Sequence, residues 1–238
     1  MISIIIPVFN EEKRITGNLE SVFGFVKGFR EKTEVVAVDD GSWDQTPKIL
    51  QQFKESNGLK VFTHKGNLGK GAAIKTGVFN ATGEKMLFTD IDLSVPIELL
   101  DSFSEALTED VDIVIGSREH PESKIEVKQF WLREFAGYSF TVLTNAILQV
   151  GVTDFTCGFK LFRKEAARKI FSKQVINRWA FDAETLFLAK KYQFEIKEMP
   201  VTWRHGEGSK VRFPQDLVDS FIGLIQIRLN DLLGKYEN

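Results

Sequence analysis

Residues 86–94 read Met-Leu-Phe-Thr-Asp-Ile-Asp-Leu-Ser, a short uncharged run that ends abruptly in two carboxylates. A run so short, bounded by turn formers, reads as a buried strand, and the acids mark where the chain leaves the sheet. The same pattern recurs on both sides of it. Ile2–Ile6 is followed by Pro7-Val8-Phe9-Asn10-Glu11, Val35–Val38 by Asp39-Asp40-Gly41-Ser42, Leu59–Thr63 by His64-Lys65-Gly66-Asn67, and Ile113–Ile115 by Gly116-Ser117-Arg118. Between these runs apolar residues return at helical spacing, as in Ile15, Leu19, Val22, Phe23 and Val26, or Leu99, Leu100, Phe103 and Leu107. Asn10 before Glu11 and Glu12 reads as a helix N-cap, and Thr46-Pro47 as a second helix start. Strands alternating with helices predict an α/β fold with a mostly parallel sheet flanked by helices. In such a sheet the carboxyl ends of the strands share one edge, where ligands bind, so five polar clusters are expected at one crevice.

The bulk numbers fit one domain over residues 1–238, with 1–118 as the ligand-binding half and 119–238 as a second half. A net charge of −2 from 31 basic and 33 acidic residues gives no footprint for nucleic acid, and none is expected as a partner. The single cysteine, Cys157, forms no internal disulfide, and with no Cys/His cluster a reduced compartment without structural zinc is expected. Met1 runs directly into apolar residues without a basic segment, so the start reads as a strand and not as a signal peptide. The apolar stretches at 135–150 and 217–233 carry polar and charged residues, and neither matches the ~20 predominantly apolar residues of a spanning helix.

Asp90 and Asp92 alternate in an extended chain and reach one ion only if the chain bends there. Hard carboxylate oxygens in a crevice suit Mg²⁺ or Mn²⁺ shared with a diphosphate; a solvated acidic loop is the alternative. Gly66-Asn67-Leu68-Gly69-Lys70-Gly71 opens a helix, where backbone N–H groups can meet an anion, or where glycines serve only a tight turn and close packing. It is neither GxGxxG nor a P-loop, which disfavours a dehydrogenase or NTPase.

PVFNEE, DDGSWDQT, NLGKGAAIKTG, DIDLS and GSR, in this order, resemble the nucleotide-sugar-binding half of family 2 glycosyltransferases, which have a GT-A fold. DFTCGFKLF (154–162), RWAFDAE (178–184) and PVTWRHGEGSK (200–210) resemble the dolichyl-phosphate β-glucosyltransferases and, more loosely, the dolichyl-phosphate mannose synthases of that family. The resemblance implies a nucleotide diphosphate sugar as donor, UDP-glucose before GDP-mannose, and polyprenyl phosphate as acceptor. It places Pro7, Asn10, Glu11, Asp39, Asp40, Gly69, Lys70 and Asp90 at the donor, and Asp90 with Asp92 at the metal. Arg118 and Arg133, with Lys210 and Arg212, would hold the acceptor phosphate, so that Asp92, Arg118 and Arg133 carry catalysis. Ser94 stands where mannose synthases carry a glutamine ligand. Asp182 and Glu184 are either helix-start acids or neighbours of the donor sugar. A hydroxyl acceptor would instead require a carboxylate base, for which Asp154 and Asp182 are the candidates. A sugar-phosphate nucleotidyltransferase shares the sheet type but would take a nucleoside triphosphate.

Two amphipathic helices complete the expectation of a cytoplasmic protein held on a membrane surface. One presents Trp131, Phe135, Tyr138, Val142 and Ala146. The other presents Leu217, Phe221, Leu224, Ile225, Leu229 and Leu232, with Asp216, Asp219, Ser220, Gln226 and Asn230 opposite and Arg228 free to snorkel toward lipid. Helices that merely cover the core would show the same pattern.

Overall fold

Strand β1 (Ile2–Val8) lies inside a seven-stranded sheet, third from one edge, and its alternating side chains supply two separate cores. Ile5 enters one of them, while Ile4 and Ile6 enter the other. The computed structural model describes residues 1–126, 131–204 and 215–237, and of these the side chains of 131–136, 138 and 215–217 are left aside.

The chain continues through α1 (Ile15–Gly28), β2 (Thr33–Asp39), α2 (Thr46–Asn57), β3 (Lys60–Thr63), α3 (Lys70–Asn80), β4 (Lys85–Thr89), α4 (Leu100–Ala106) and β5 (Ile113–Ser117). There follow β6 (Lys124–Ile125), α5 (Trp131–Leu148), β7 (Phe159–Arg163), α6 (Lys164–Lys173), α7 (Phe181–Lys191), β8 (Ile196–Pro200), β9 (Thr202–Trp203) and α8 (Gln215–Leu232). The large sheet has the order β3-β2-β1-β4-β7-β5-β8, and β6 pairs with β9 in a small one. Every strand of the large sheet runs parallel except β7, which is antiparallel to both its neighbours, β4 and β5. Helices α1, α2 and α4 cover one face, and α3, α5, α6, α7 and α8 contribute to the other.

All five expected strands are present, each within a few residues of its expected bounds. The second half adds β7 and β8 to the same sheet, so the two halves share one core layer. Strand β7 hides from sequence reasoning because Lys160 interrupts its apolar run; the side chain is fully buried.

Three expectations are corrected. Asn10 does not cap α1, which begins at Ile15; its backbone is left-handed (φ 52°) and its side chain accepts the Trp43 N–H at 3.0 Å. The apolar residues of α8 do not form one stripe. Leu224 and Ile227 are buried together with Asn230, which had been placed on the polar side, while Val218, Ile222, Ile225, Leu229 and Leu232 face outward at 53–82% exposure. Arg228 does not snorkel: its Nε donates to the Ile147 carbonyl at 2.6 Å and its guanidinium covers the Phe187 ring.

Helix α3 seats on β1 through Gly77, where an added Cβ would lie 2.3 Å from Ile5 Cγ2. We expect Gly77→Ala to overpack this contact and destabilise the protein by about 1–3 kcal/mol, read as a lower urea midpoint with unchanged m-value.

Candidate active site

The pairing of β1 with β4 stops at Ile5↔Phe88, whereas its pairing with β2 continues to Val8↔Asp39. The sheet therefore splits between β1 and β4, where strand order changes direction, and a crevice outside the strand ends is the geometric result. Pro7, which has no N–H, falls beyond the last pair with β4 and interrupts no ladder on that side.

The segment after β4 turns sharply. The Leu93 N–H donates to the Asp90 carbonyl at 3.1 Å, and Leu93 adopts φ 49°, a left-handed backbone that a branched side chain rarely takes. Asp92 Oδ1 accepts the Ser94 N–H at 3.0 Å, which fixes the second carboxylate in the turn. Each acid faces a cation. Lys70 Nζ is 2.7 Å from Asp90 Oδ1, and Arg14 Nη1 is 3.8 Å from Asp92 Oδ2 while its other nitrogens clasp Glu11. Burial works against the charge on Lys70, but Asp90, Asp182 and Asp92 outweigh it and raise its pKa. Gly158 is required beside Asp90, since a Cβ there would lie 2.0 Å from Asp90 Oδ2. No group of three or more His, Cys, Asp or Glu side chains able to hold a metal occurs among the described residues. Two carboxylates without further protein ligands nonetheless fit Mg²⁺ or Mn²⁺, ions that complete their shell with water and substrate phosphates. A cleft of about 310 Å³ adjoins Asp92, lined also by Asn18, Ser94, Glu98 and Arg204.

At the ends of β1 and β2 two loops are stitched together. Asn10 N–H donates to Ser42 Oγ (2.8 Å), Glu11 N–H to Thr46 Oγ1 (2.8 Å), and Gln45 N–H to Glu12 Oε2 (3.0 Å). Within this frame Asp39 accepts the Ser42 N–H through Oδ1, whereas its buried Oδ2 has no hydrogen-bond partner among the described residues. An orphaned carboxylate oxygen costs on the order of 1–3 kcal/mol, and a ligand N–H would relieve it. Asp40 behaves differently. It takes the N–H groups of Leu68 (2.9 Å) and Gly69 (2.8 Å) and hydrogen-bonds His64 Nδ1 (2.7 Å), so it builds the glycine loop from within. The Gly71 N–H donates to the Asn177 carbonyl at 2.8 Å. These three N–H groups are thus spent inside the protein, and the tight-turn alternative describes the loop: Gly69 has φ 110°, and a Cβ on Gly71 would lie 2.6 Å from Phe181 Cβ. What the loop offers the crevice is the side chain of Lys70.

On the far side of the crevice Arg118 makes a two-pronged pair with Asp154 (2.7 and 2.8 Å), donates to Thr156 Oγ1 (2.6 Å) and lies over the Trp203 ring. Burial alone would raise the Asp154 pKa; the charge and hydrogen bonds of Arg118 outweigh it and draw the carboxyl down to about 2. Asp182 is paired at 2.6 Å with the buried Lys160, which also donates to the Cys157 carbonyl, and here burial prevails and the pKa is raised. Arg133 has its backbone in α5, but its side chain, like Lys210 and Arg212, lies outside the described residues. Sequence reasoning missed Arg14 and Lys160. The only signal for either was a lysine inside the apolar run FKLF; Arg14 left none.

The chain resembles known proteins along nearly its whole length. The family model described as glycosyl transferase family 2 matches residues 3–171. A dolichyl-phosphate beta-glucosyltransferase of Mus musculus is 34% identical over 99% of this chain and 77% of its own length. The enzyme of that name from Saccharomyces cerevisiae is 32% identical over 100% and 77%. Among solved structures, a mannosyltransferase from Pyrobaculum calidifontis in complex with GDP-Man and Mn²⁺ aligns with TM-score 0.68 at 21% identity, covering 97% of this chain and 64% of that one. A glucosyl-3-phosphoglycerate synthase from Mycobacterium tuberculosis, in complex with Mn²⁺, UDP-glucose and glycerol 3-phosphate, aligns with TM-score 0.67 at 17% identity, covering 95% and 79%. The sheet order and the split between β1 and β4 are accordingly those of a GT-A type fold, and the chain belongs to glycosyl transferase family 2 and is a glycosyltransferase.

Proposed function

We propose that the chain transfers glucose from UDP-glucose to a polyprenyl phosphate at a membrane surface, inverting the anomeric carbon, with Mg²⁺ or Mn²⁺ held by Asp90 and Asp92. The observation that carries the acceptor class is the Arg118–Asp154 pair. A hydroxyl acceptor needs a base, and a carboxylate drawn down to about 2 and clamped by a guanidinium is a poor one. A phosphate monoester, with its second ionisation near ~6, needs none. The names of the relatives support the same acceptor and sugar, and the Mn²⁺ of the structural neighbours supports the metal.

In this reading an acceptor phosphate oxygen attacks the anomeric carbon as the bond from that carbon to the nucleoside diphosphate breaks, so an α-linked donor yields a β-linked product. When bound, the metal neutralises charge on the departing diphosphate. Asp39 offers its unpartnered oxygen to an N–H of the base. Lys70 brings a protonated amine beside Asp90. Arg118 uses Nε and Nη2 on Asp154 and Thr156, and its Nη1, without a hydrogen bond among the described residues, would offer two N–H groups to a phosphate oxygen. One observation favours a second reading: Asp182, with its raised pKa, could serve as base for a hydroxyl acceptor. Incubation with a short polyprenyl phosphate and with soluble sugar acceptors separates the two, and turnover confined to the soluble sugars rejects the phosphate acceptor.

Membrane contact rests on α8. Val218, Ile222, Ile225, Leu229 and Leu232 recur every three or four residues and stand exposed, joined by Val142 and Leu143 of α5. Apolar residues in such a continuous row mark an interaction surface, and a lipid-linked acceptor supplies its partner. No described helix is long and apolar enough to cross a membrane.

Asp92→Asn, or excess chelator, should lower turnover by at least ~100-fold with the thermal transition unchanged; full activity in chelator rejects the metal. Calorimetric titration with Mn²⁺ should find UDP bound more tightly than GDP, and the opposite order makes the donor a guanosine sugar. The wild type should float with anionic vesicles, and Ile222→Glu/Leu229→Glu should stay with the soluble fraction. A wild type that remains soluble and self-associates through the same residues assigns the surface to a second copy instead.

A further inference from the structure

Glu184 is completely buried, yet none of the chemistry above uses it. Its carboxylate accepts the Val175 N–H (3.1 Å) and the Ile176 N–H (2.8 Å), so it holds the loop that joins α6 to α7. The third donor to it is the Tyr236 hydroxyl at 2.6 Å, from the turn that follows α8. Tyr236 is itself fully buried, and its carbonyl accepts the Tyr192 hydroxyl at 2.7 Å. Ile176 also packs into the core, and the Gln174 N–H donates to the Ile170 carbonyl at 3.0 Å. Gln174 donates an amide N–H to the Ile176 carbonyl, its buried Oε1 has no hydrogen-bond partner among the described residues, and Lys75 Nζ reaches the Gln174 carbonyl at 2.6 Å.

The far end of the loop meets the donor side. The Asn177 carbonyl accepts the Gly71 N–H at 2.8 Å and lies where a Cβ on Gly69 would be, 2.3 Å away. The first turn of α3 is therefore gripped from two directions, by Asp40 on the N–H groups of Leu68 and Gly69 and by Asn177 on that of Gly71. Lys70 sits between the two grips and reaches Asp90.

We propose that Glu184 and Tyr236 form a positioning latch: through the 174–177 loop they set the first turn of α3, and so the placement of Lys70 over Asp90, which makes the turn after α8 part of the donor site's support. The link from the latch to nucleotide affinity rests on the donor reading above; the link from the latch to α3 does not. Tyr236→Phe removes one hydroxyl and leaves the ring in place. It should hasten hydrogen exchange at the Gly71 amide and raise the Kd for UDP with Mn²⁺ about 5-fold, a part of the roughly tenfold or more that one hydrogen bond to a buried charge is worth, with the KM for polyprenyl phosphate unchanged. Lys75→Met, at a half-buried site that does not threaten folding, should act in the same direction and less strongly. Phe103→Leu, in the core on the opposite face of the sheet, is the control; it should lower the Tm and move neither readout. A Tyr236→Phe protein that loses stability as the control does, with Gly71 exchange and UDP affinity unchanged, overturns the latch. So does a Lys75→Met protein with unaltered Gly71 exchange. Should the wild type bind no UDP, the donor reading fails, and Gly71 exchange in the two variants still decides the latch.

Discussion

The buried pair of Lys160 and Asp182 locks α7 onto β7, the strand that the second half of the chain inserts beside β4. Lys160 sits on β7 opposite Phe88 of β4, with its ammonium 2.6 Å from Asp182 at the start of α7. Removing one member of such a pair leaves a bare charge in the interior and costs about 3–5 kcal/mol, so β7 and α7 are fixed together or not at all. Much of the site follows from that register. With Thr89 opposite Phe159, the chain entering β7 carries Gly158 onto Asp90 and, four residues earlier, Asp154 onto Arg118. An antiparallel strand thus brings the carboxylates after β4 and the arginine after β5 to the same edge.

The parts that were legible in the sequence are those in which one local pattern suffices. Each of the first five strands is a short apolar run closed by turn formers, and the polar residues that close it lie at the carboxyl edge because parallel strands leave no other place. Asp90, Asp92 and Asp39 were found by that rule, and Lys70 by the family resemblance. What stayed hidden depends on partners distant in sequence. A lysine inside a strand argues against burial until Asp182 supplies the counter-charge. Arg14 gains its meaning from Asp92, which the fold brings to it from the loop after β4 while Glu11, three residues earlier, holds its other nitrogens. Asn10 looked like a cap because its side chain is a good acceptor; the fold spends that acceptor on Trp43 instead. The two-faced character of α8 could not be seen either, since a helix that is apolar nearly all round gives a periodicity without saying which side is inward.

The charges along the crevice alternate. Glu11, Arg14 and Asp92 form one chain, and Asp90, Lys70, Asp182 and Lys160 another, with Lys70 feeling Asp90, Asp182 and Asp92 at once. Asp90 is thus paired with Lys70, and Asp92 faces Arg14. Arg14 and Lys70 would compete with a dication for them, and a diphosphate arriving with it would offer those two cations a replacement. Loading would then exchange ion pairs and not expose bare charge.

Helix α8 joins this site to the outward apolar row because its two faces do different work. The inner face packs Leu224 and Ile227 into the core and brings Gly223 against α7, where a Cβ would lie 2.3 Å from Ala180 Cβ. One residue further along, Phe181 fills the space beside Gly71 of α3. Two glycines from distant parts of the chain thus close on neighbouring residues, one from the helix that carries the exposed row and one from the helix that carries Lys70. Close-packed interiors transmit displacement because they have no slack to absorb it. Any shift of α8 relative to α7 therefore reaches the start of α3 by contact, beside the path through Tyr236 and Glu184, and two routes converging on one turn make the donor side sensitive to how α8 is seated.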